Sequence, residues 1–227
     1  DLADLQAQLD EDRTSRLDEI RRLKNIGSGL ADDQQDEFRR CLIVMLYAHF
    51  EGFCKFAMVL YLQSVNSVQM QSSDAIPEIA AANLEKQFRR LENPKRQCDV
   101  FRNLLPEDGK LHRFARRRDF LNELPSFTGG TVELPDEVVD TESNLTPTVL
   151  RKNFFKLGLD YTAIDEVAGD IDQLLNRRNK IAHGEARAGI SAEAYQRVED
   201  AAHMVMRSVS EKVFEALRTE AYKRQAS

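Results

Sequence analysis

The chain has 227 residues, 42% of them hydrophobic and 31% charged, with 10 Gly, 6 Pro and no Trp. That supplies apolar material for a packed core and too little Gly and Pro for a fibrous, low-complexity or turn-rich β protein. The net charge of −6 excludes a protein that coats nucleic acid indiscriminately, although a local basic cleft is compatible with it.

Leu2, Leu5, Leu9, Leu17, Ile20 and Leu23 recur at helical spacing and predict a long amphipathic helix, broken near Gly27 and Gly29. A second helix is expected from about Asp33 to Leu62, apolar nearly all round from Cys41 onward. That run is long enough to cross a bilayer. His49, Glu51 and Lys55 stand near its centre, however, and a central charge costs roughly 3 kcal/mol on insertion scales. The expectation is therefore burial in a bundle and against a second subunit, with no membrane as partner. Phe38, Leu42, Met45, Phe56 and Leu60 place His49 on the core stripe of this helix, as a buried histidine satisfied by a neighbour.

Cys41 and Cys54 read as small core residues of the same helix. With Cys98 they are odd in number and lack zinc spacing, so no metal or cofactor is expected, and a reducing cytoplasm is the expected location.

From Ser64 to about Glu123 the pattern is looser, with helices expected around Ala80 to Leu91 and Pro94 to Leu104. Two basic clusters lie here: Lys86, Arg89, Arg90, Lys95 and Arg96, then Arg113, Arg116, Arg117 and Arg118. Both read as solvated faces. His112, and His203 further on, are expected on helix surfaces. Pro125 to Thr146 is rich in breakers, and Thr131-Val132-Glu133-Leu134 is expected as a small hairpin or extended piece. The span 64–145 reads as an elaboration between core helices of a single domain, 1–227. Thr146 and Pro147 then supply an N-cap with proline at the first helical position, and that helix stops at Gly158.

Asp160 or Thr162 opens the next helix, striped by Ile164, Val167, Ile171, Leu174 and Leu175. It runs into Asn176-Arg177-Arg178-Asn179-Lys180-Ile181-Ala182-His183-Gly184-Glu185, the most informative stretch of the chain. Asn179 and His183, four apart, share one face. Arg178 is five before His183, about 140° round the helix. Gly184 supplies the stop, which puts His183 at or beside the C-cap. A cation for a phosphate beside a group titrating near neutral pH is a minimal kit for cleaving RNA. The same residues also complement a helix dipole, and that plainer reading stands beside the catalytic one. Ser191 caps a last helix carrying Tyr195, Val198, Ala202, Val205, Val209, Val213 and Leu217 on one side. The fold class is all-α: four long helices, several short ones and an irregular insertion.

Arg178-Asn179-x3-His183-Gly184 resembles the Arg-x4–6-His signature of the HEPN superfamily. Tyr47-Ala48-His49-Phe50-Glu51-Gly52-Phe53 resembles a Tyr-Ala-His-aromatic-Glu-Gly run of one bacterial subfamily. Ser143-Asn144-Leu145, followed by Phe154-Phe155-Lys156-Leu157-Gly158, is similar to the same subfamily. The resemblance implies a HEPN-like bundle that forms a homodimer and, in active members, cuts RNA without a metal to leave a 2′,3′-cyclic phosphate. It implies a toxin or effector of a bacterial toxin–antitoxin or anti-phage system, with tRNA one candidate substrate and an antitoxin or regulatory protein as partner. On that footing His183 is the general acid or base, Arg178 binds the scissile phosphate, and Asn179 orients the imidazole or donates to phosphate. Arg177 is a second cation at the alternative spacing, and Glu51 is expected to pair with an arginine of the motif. Some members carry a modifiable Tyr two residues after the His; this chain has Glu185 there, so silencing by tyrosine modification is not implied. Other HEPN domains are non-catalytic modules for dimerisation or for nucleotide or protein binding, which is the alternative function.

Overall fold

Asp1 accepts a hydrogen bond from the Asp4 amide at 2.9 Å and so caps the first helix, α1 (Leu2–Gly27). The structure, a computed structural model, describes residues 1–225, the side chain of Ala163 excepted. The second helix, α2 (Asp32–Ser67), is the axis of the fold. Phe50, Phe53, Cys54, Ala57, Met58 and Leu62 along it are fully buried. Enclosing one such large apolar side chain stabilises the fold by about 1.5–3 kcal/mol.

Around α2 pack α1, α7 (Ala168–Ala182) and α8 (Ala192–Arg218), which gives the expected helical bundle. Gly52 allows a close approach of α1. A Cβ there would lie 2.6 Å from Arg16 Nη1, so the guanidinium, paired with Asp12, rests over the glycine. A buried carboxylate ties α1 to α8: Glu199 accepts from Lys24 Nζ at 2.6 Å and from the Tyr195 hydroxyl at 3.2 Å. Among the described residues α2 is the one helix long and apolar enough to cross a bilayer, and half of its apolar window is buried in the bundle.

Between α2 and α7 the chain forms α3 (Pro77–Asn83), α4 (Glu85–Glu92), α5 (Gly109–Gly129) and α6 (Pro147–Leu157). Thr146 caps α6 and the left-handed Gly158 ends it, as the sequence predicts. The helix expected around Ala80 to Leu91 is divided at Leu84.

Several expectations for the middle region need correction. Pro94 to Leu104 is not a helix. Side chains take three of its backbone groups, the Lys95 amide donating to Asn93 Oδ1, the Cys98 amide to His112 Nδ1 at 3.1 Å and the Arg96 carbonyl accepting from Arg116, and the rest close separate turns such as that from the Arg102 amide to the Cys98 carbonyl at 2.8 Å. His112 and Arg116 are therefore buried, not surface groups. The long helix α5 escaped the periodicity, and it passes through Pro125. Leu121, four residues earlier, is exposed, so its unbonded carbonyl can meet water.

Thr131 pairs in an isolated antiparallel bridge with Gln71, an extended piece and not a hairpin. Thr162–Val167 is a 3-10 turn before α7. Cys41 is exposed and not a core residue, while Cys54 and Cys98 are buried; all three are free thiols. His203 is half-buried, with no hydrogen bond to its Nε2, rather than on an open surface.

Candidate functional site

The last turn of α7 lies against the middle of α2, and the side chains that meet there define the site. Tyr47 and Glu51 are four apart on α2 and so present one face. The guanidinium of Arg178 sits over that face, its Cζ 4.1 Å from the centre of the Tyr47 ring. Arg178 Nη2 stands 3.8 Å from Glu51 Oε2, an ion pair too long for a hydrogen bond. Arg178 Nη1 donates to Asn179 Oδ1 at 2.8 Å. The guanidinium is thus held by a ring, a carboxylate and an amide. It remains about one-fifth exposed, so its position is set without being sealed.

Tyr47 is itself fixed. Its ring is buried and its hydroxyl accepts from the Leu145 amide at 2.7 Å, which joins α2 to the start of α6. Burial, then the charge of Glu51, pushes this hydroxyl up to about 12. Tyr47 therefore stays neutral beneath the cation.

His183 is the C-cap of α7 and is exposed. The stop is a Schellman motif: the Gly184 amide donates to the Ile181 carbonyl at 3.0 Å, and the Glu185 amide to the Lys180 carbonyl at 2.8 Å. It requires the left-handed φ of +73° at Gly184. The chain after it is pinned to the start of α2. Arg40 donates to the carbonyls of Ala186 and Arg187 at 2.7 and 3.1 Å, Arg39 to that of Ile190 at 3.1 Å, and the Ile190 amide to the Asp36 carbonyl at 2.9 Å. His183 thus stands on a helix end anchored on both sides.

Three of the five residues singled out in the sequence meet through their side chains, and no hydrogen bond or ion pair joins the His183 side chain to them among the described residues. Arg178, Asn179 and Glu51 touch, and His183 follows on the same helix end. Arg177 is half-buried, with no ion pair among the described residues; Arg178 is the arginine that meets α2. Asn179 holds Arg178 through its side chain and His183 only through its backbone, the His183 amide donating to the Asn179 carbonyl at 2.9 Å.

Tyr47 was missed as the platform for Arg178, although its spacing from Glu51 signals it. Arg40 was missed because no short-range pattern marks a side chain that reaches a loop 146 residues away. His49 lies apart from this group. It faces α1, with Nε2 3.4 Å from Glu19 Oε2 in poor hydrogen-bond geometry, and burial pushes its pKa down. Among the described residues no three His, Cys, Asp or Glu side chains are grouped to hold a metal. A family model, RiboL-PSP-HEPN, matches residues 11–215. No curated protein and no solved structure matches the chain.

Proposed function

The chain belongs to the RiboL-PSP-HEPN family, and from that premise we propose that it is a metal-independent endoribonuclease whose reacting groups are Arg178 and His183. The observation that carries this reading is the held guanidinium of Arg178 at the end of the helix whose exposed C-cap is His183. A preoriented cation stabilises charge that develops on phosphate oxygens and needs no reorganisation at the moment of reaction. In the reaction the RNA 2′-oxygen bonds to phosphorus and the bond from phosphorus to the 5′-oxygen breaks. An imidazole takes the 2′-hydroxyl proton, or an imidazolium gives a proton to the leaving oxygen, and the products carry a 2′,3′-cyclic phosphate and a 5′-hydroxyl.

One motif supplies one imidazole, so a homodimer with two facing motifs divides acid from base. Asn179 and Glu51 act as positioning residues through Arg178, and Arg177 adds positive charge beside it. The membership of the subfamily marked by the Tyr47–Gly52 run, a cytoplasmic location, a role as a toxin or defence effector acting on tRNA or another structured RNA, and control by an antitoxin or regulatory protein belong to the same proposal.

A second reading, a non-catalytic module that dimerises or binds a nucleotide or protein, is favoured by one feature. The larger cavities, of about 810 and 690 Å³, are lined by residues of other regions and not by Arg178 or His183. Incubation with total RNA in EDTA separates the two. Cleavage that persists in EDTA, disappears with His183→Ala and weakens with Arg178→Ala supports the nuclease; an intact dimer without cleavage supports the module.

A further inference from the structure

Outside the Arg178–His183 site, charge is distributed unevenly. Residues 85–129, from α4 to the end of α5, hold eleven Lys and Arg against seven Asp and Glu, a net +4. The whole chain is −6, so the remainder carries −10. This arm packs chiefly on itself and on the neighbouring short helices, not on α7 or α8.

Part of its charge is internal. Arg89 pairs with Glu85, Arg90 with Glu123, and Arg96 and Arg118 with Asp119, while Arg116 is buried on the carbonyls of Leu91 and Arg96. Lys86, Lys95, Lys110, Arg113 and Arg117 have no ion pair among the described residues, and all five are exposed. Along α5, Lys110, Phe114, Arg117 and Leu121 fall within about 60° of one another round the helix. His112, Ala115 and Arg116 on the opposite side are buried, so this stripe faces outward. Phe114 is 66% exposed, an aromatic side chain left in water between cations.

Cations without partners around one open aromatic side chain are what a flexible polyanion with stackable rings requires. We propose that the outer face of α5, with Lys110, Arg113 and Arg117 around Phe114, binds single-stranded RNA, a tether for the substrate that the Arg178–His183 site cuts. The cations hold successive phosphates and Phe114 stacks on a base. This rests on the nuclease reading for its purpose but not for its test.

The test uses full-length His183→Ala protein, which retains the arm and does not cut, and a labelled, unstructured 20-nucleotide RNA followed by fluorescence anisotropy between about 50 and 200 mM salt. Three phosphate contacts to a single strand contribute about −2 to the log–log salt slope. Adding K110Q, R113Q and R117Q makes the slope shallower by about 2 and weakens binding on the order of 100-fold at 0.1 M salt. Adding Phe114→Ala instead weakens binding about tenfold without altering the slope. The substituted side chains are exposed, so the melting temperature stays unchanged and misfolding is excluded by the same samples.

Absent RNA binding, or a triple variant that binds with parental affinity and slope, overturns the proposal. So does polyglutamate binding as tightly as RNA with no response to Phe114→Ala, which makes the arm a contact for an acidic protein. With His183 restored, the triple variant cuts a trinucleotide as fast as wild type and a long RNA more slowly. A protein that binds RNA through α5 yet cuts nothing sinks the nuclease reading alone; one that cuts, with binding indifferent to α5, sinks the arm alone.

Discussion

Replacing Tyr47 with Phe separates what its hydroxyl does from what its ring does. The hydroxyl accepts from the Leu145 amide at 2.7 Å, and both residues are buried, at 2% and 0% exposure. Phe leaves that amide without a partner and out of reach of water, a loss of about 1–3 kcal/mol. For a chain of this length each kcal/mol moves the melting temperature by about 2–4 °C, so a loss near the middle of the range lowers it by about 4–8 °C. The ring remains under the Arg178 guanidinium, so RNA cleavage stays within about twofold of wild type. Tyr47→Leu removes the ring as well and abolishes most cleavage. Thermal melts followed by circular dichroism, with cleavage of one RNA on the same samples, measure both. The reasoning fails if Phe melts within about 1 °C of wild type, or if Phe and Leu lose cleavage equally.

The titration of Tyr47 adds a check with a definite sign. Its folded pKa, about 12, lies above the 10.0 of an ordinary tyrosine. The stabilising preference for the neutral phenol is therefore complete below pH 10 and is lost as pH rises towards 12. Tyr61 and Tyr195 are pushed up by burial in the same direction, so the whole chain weakens above pH 10. Tyr47→Phe removes one share of that decline, and its deficit against wild type narrows there.

Other outcomes follow from the same geometry. Glu51→Gln changes stability by less than about 1 kcal/mol, because its pair with Arg178 is long and partly hydrated, yet lowers cleavage about tenfold by releasing the guanidinium; paired melting and turnover measurements read both. Gly184→Ala meets no atom within 4 Å, so its loss of about 1–2 kcal/mol comes from the left-handed backbone alone, seen as a lower melting temperature. Arg40→Ala frees the chain after His183 and slows cleavage several-fold, with faster amide exchange confined to residues near 186–190. Burial lowers the pKa of His49 and of His203, so each stabilises above pH 6.5 and loses that contribution as pH falls. Melts from pH 7 to 5 decline less steeply in the double variant His49→Gln, His203→Gln.

The core helices were legible because their signals are local: the leucine spacing of α1, Thr146-Pro147, Ser191 and the glycine after His183 each act within one or two turns. The charged pair of the site was legible too, since a carboxylate at Glu51 in apolar surroundings demands a cation and the Arg178 motif offers one. What stayed hidden depends on distant partners. Pro94 to Leu104 has helix-compatible residues, but His112 and Arg116 of a later helix take its Cys98 amide and Arg96 carbonyl. Helix α5 has a polar, Arg-rich surface and an internal Pro125, so its apolar stripe is too thin to read. The seat of Arg178 on the Tyr47 ring joins residues 131 apart in the chain and arises only when α7 packs on α2.

The central claim is that His183 and Arg178 promote attack by the RNA's own 2′-hydroxyl. A single RNA oligonucleotide carrying one 2′-deoxy sugar at the mapped cleavage position tests it most directly, with wild type and His183→Ala compared in EDTA. The account predicts that wild type cuts the all-ribose strand to a 2′,3′-cyclic phosphate end and leaves the deoxy position intact, while His183→Ala cuts neither. Equal cleavage at the deoxy position, or undiminished cleavage by His183→Ala, contradicts it.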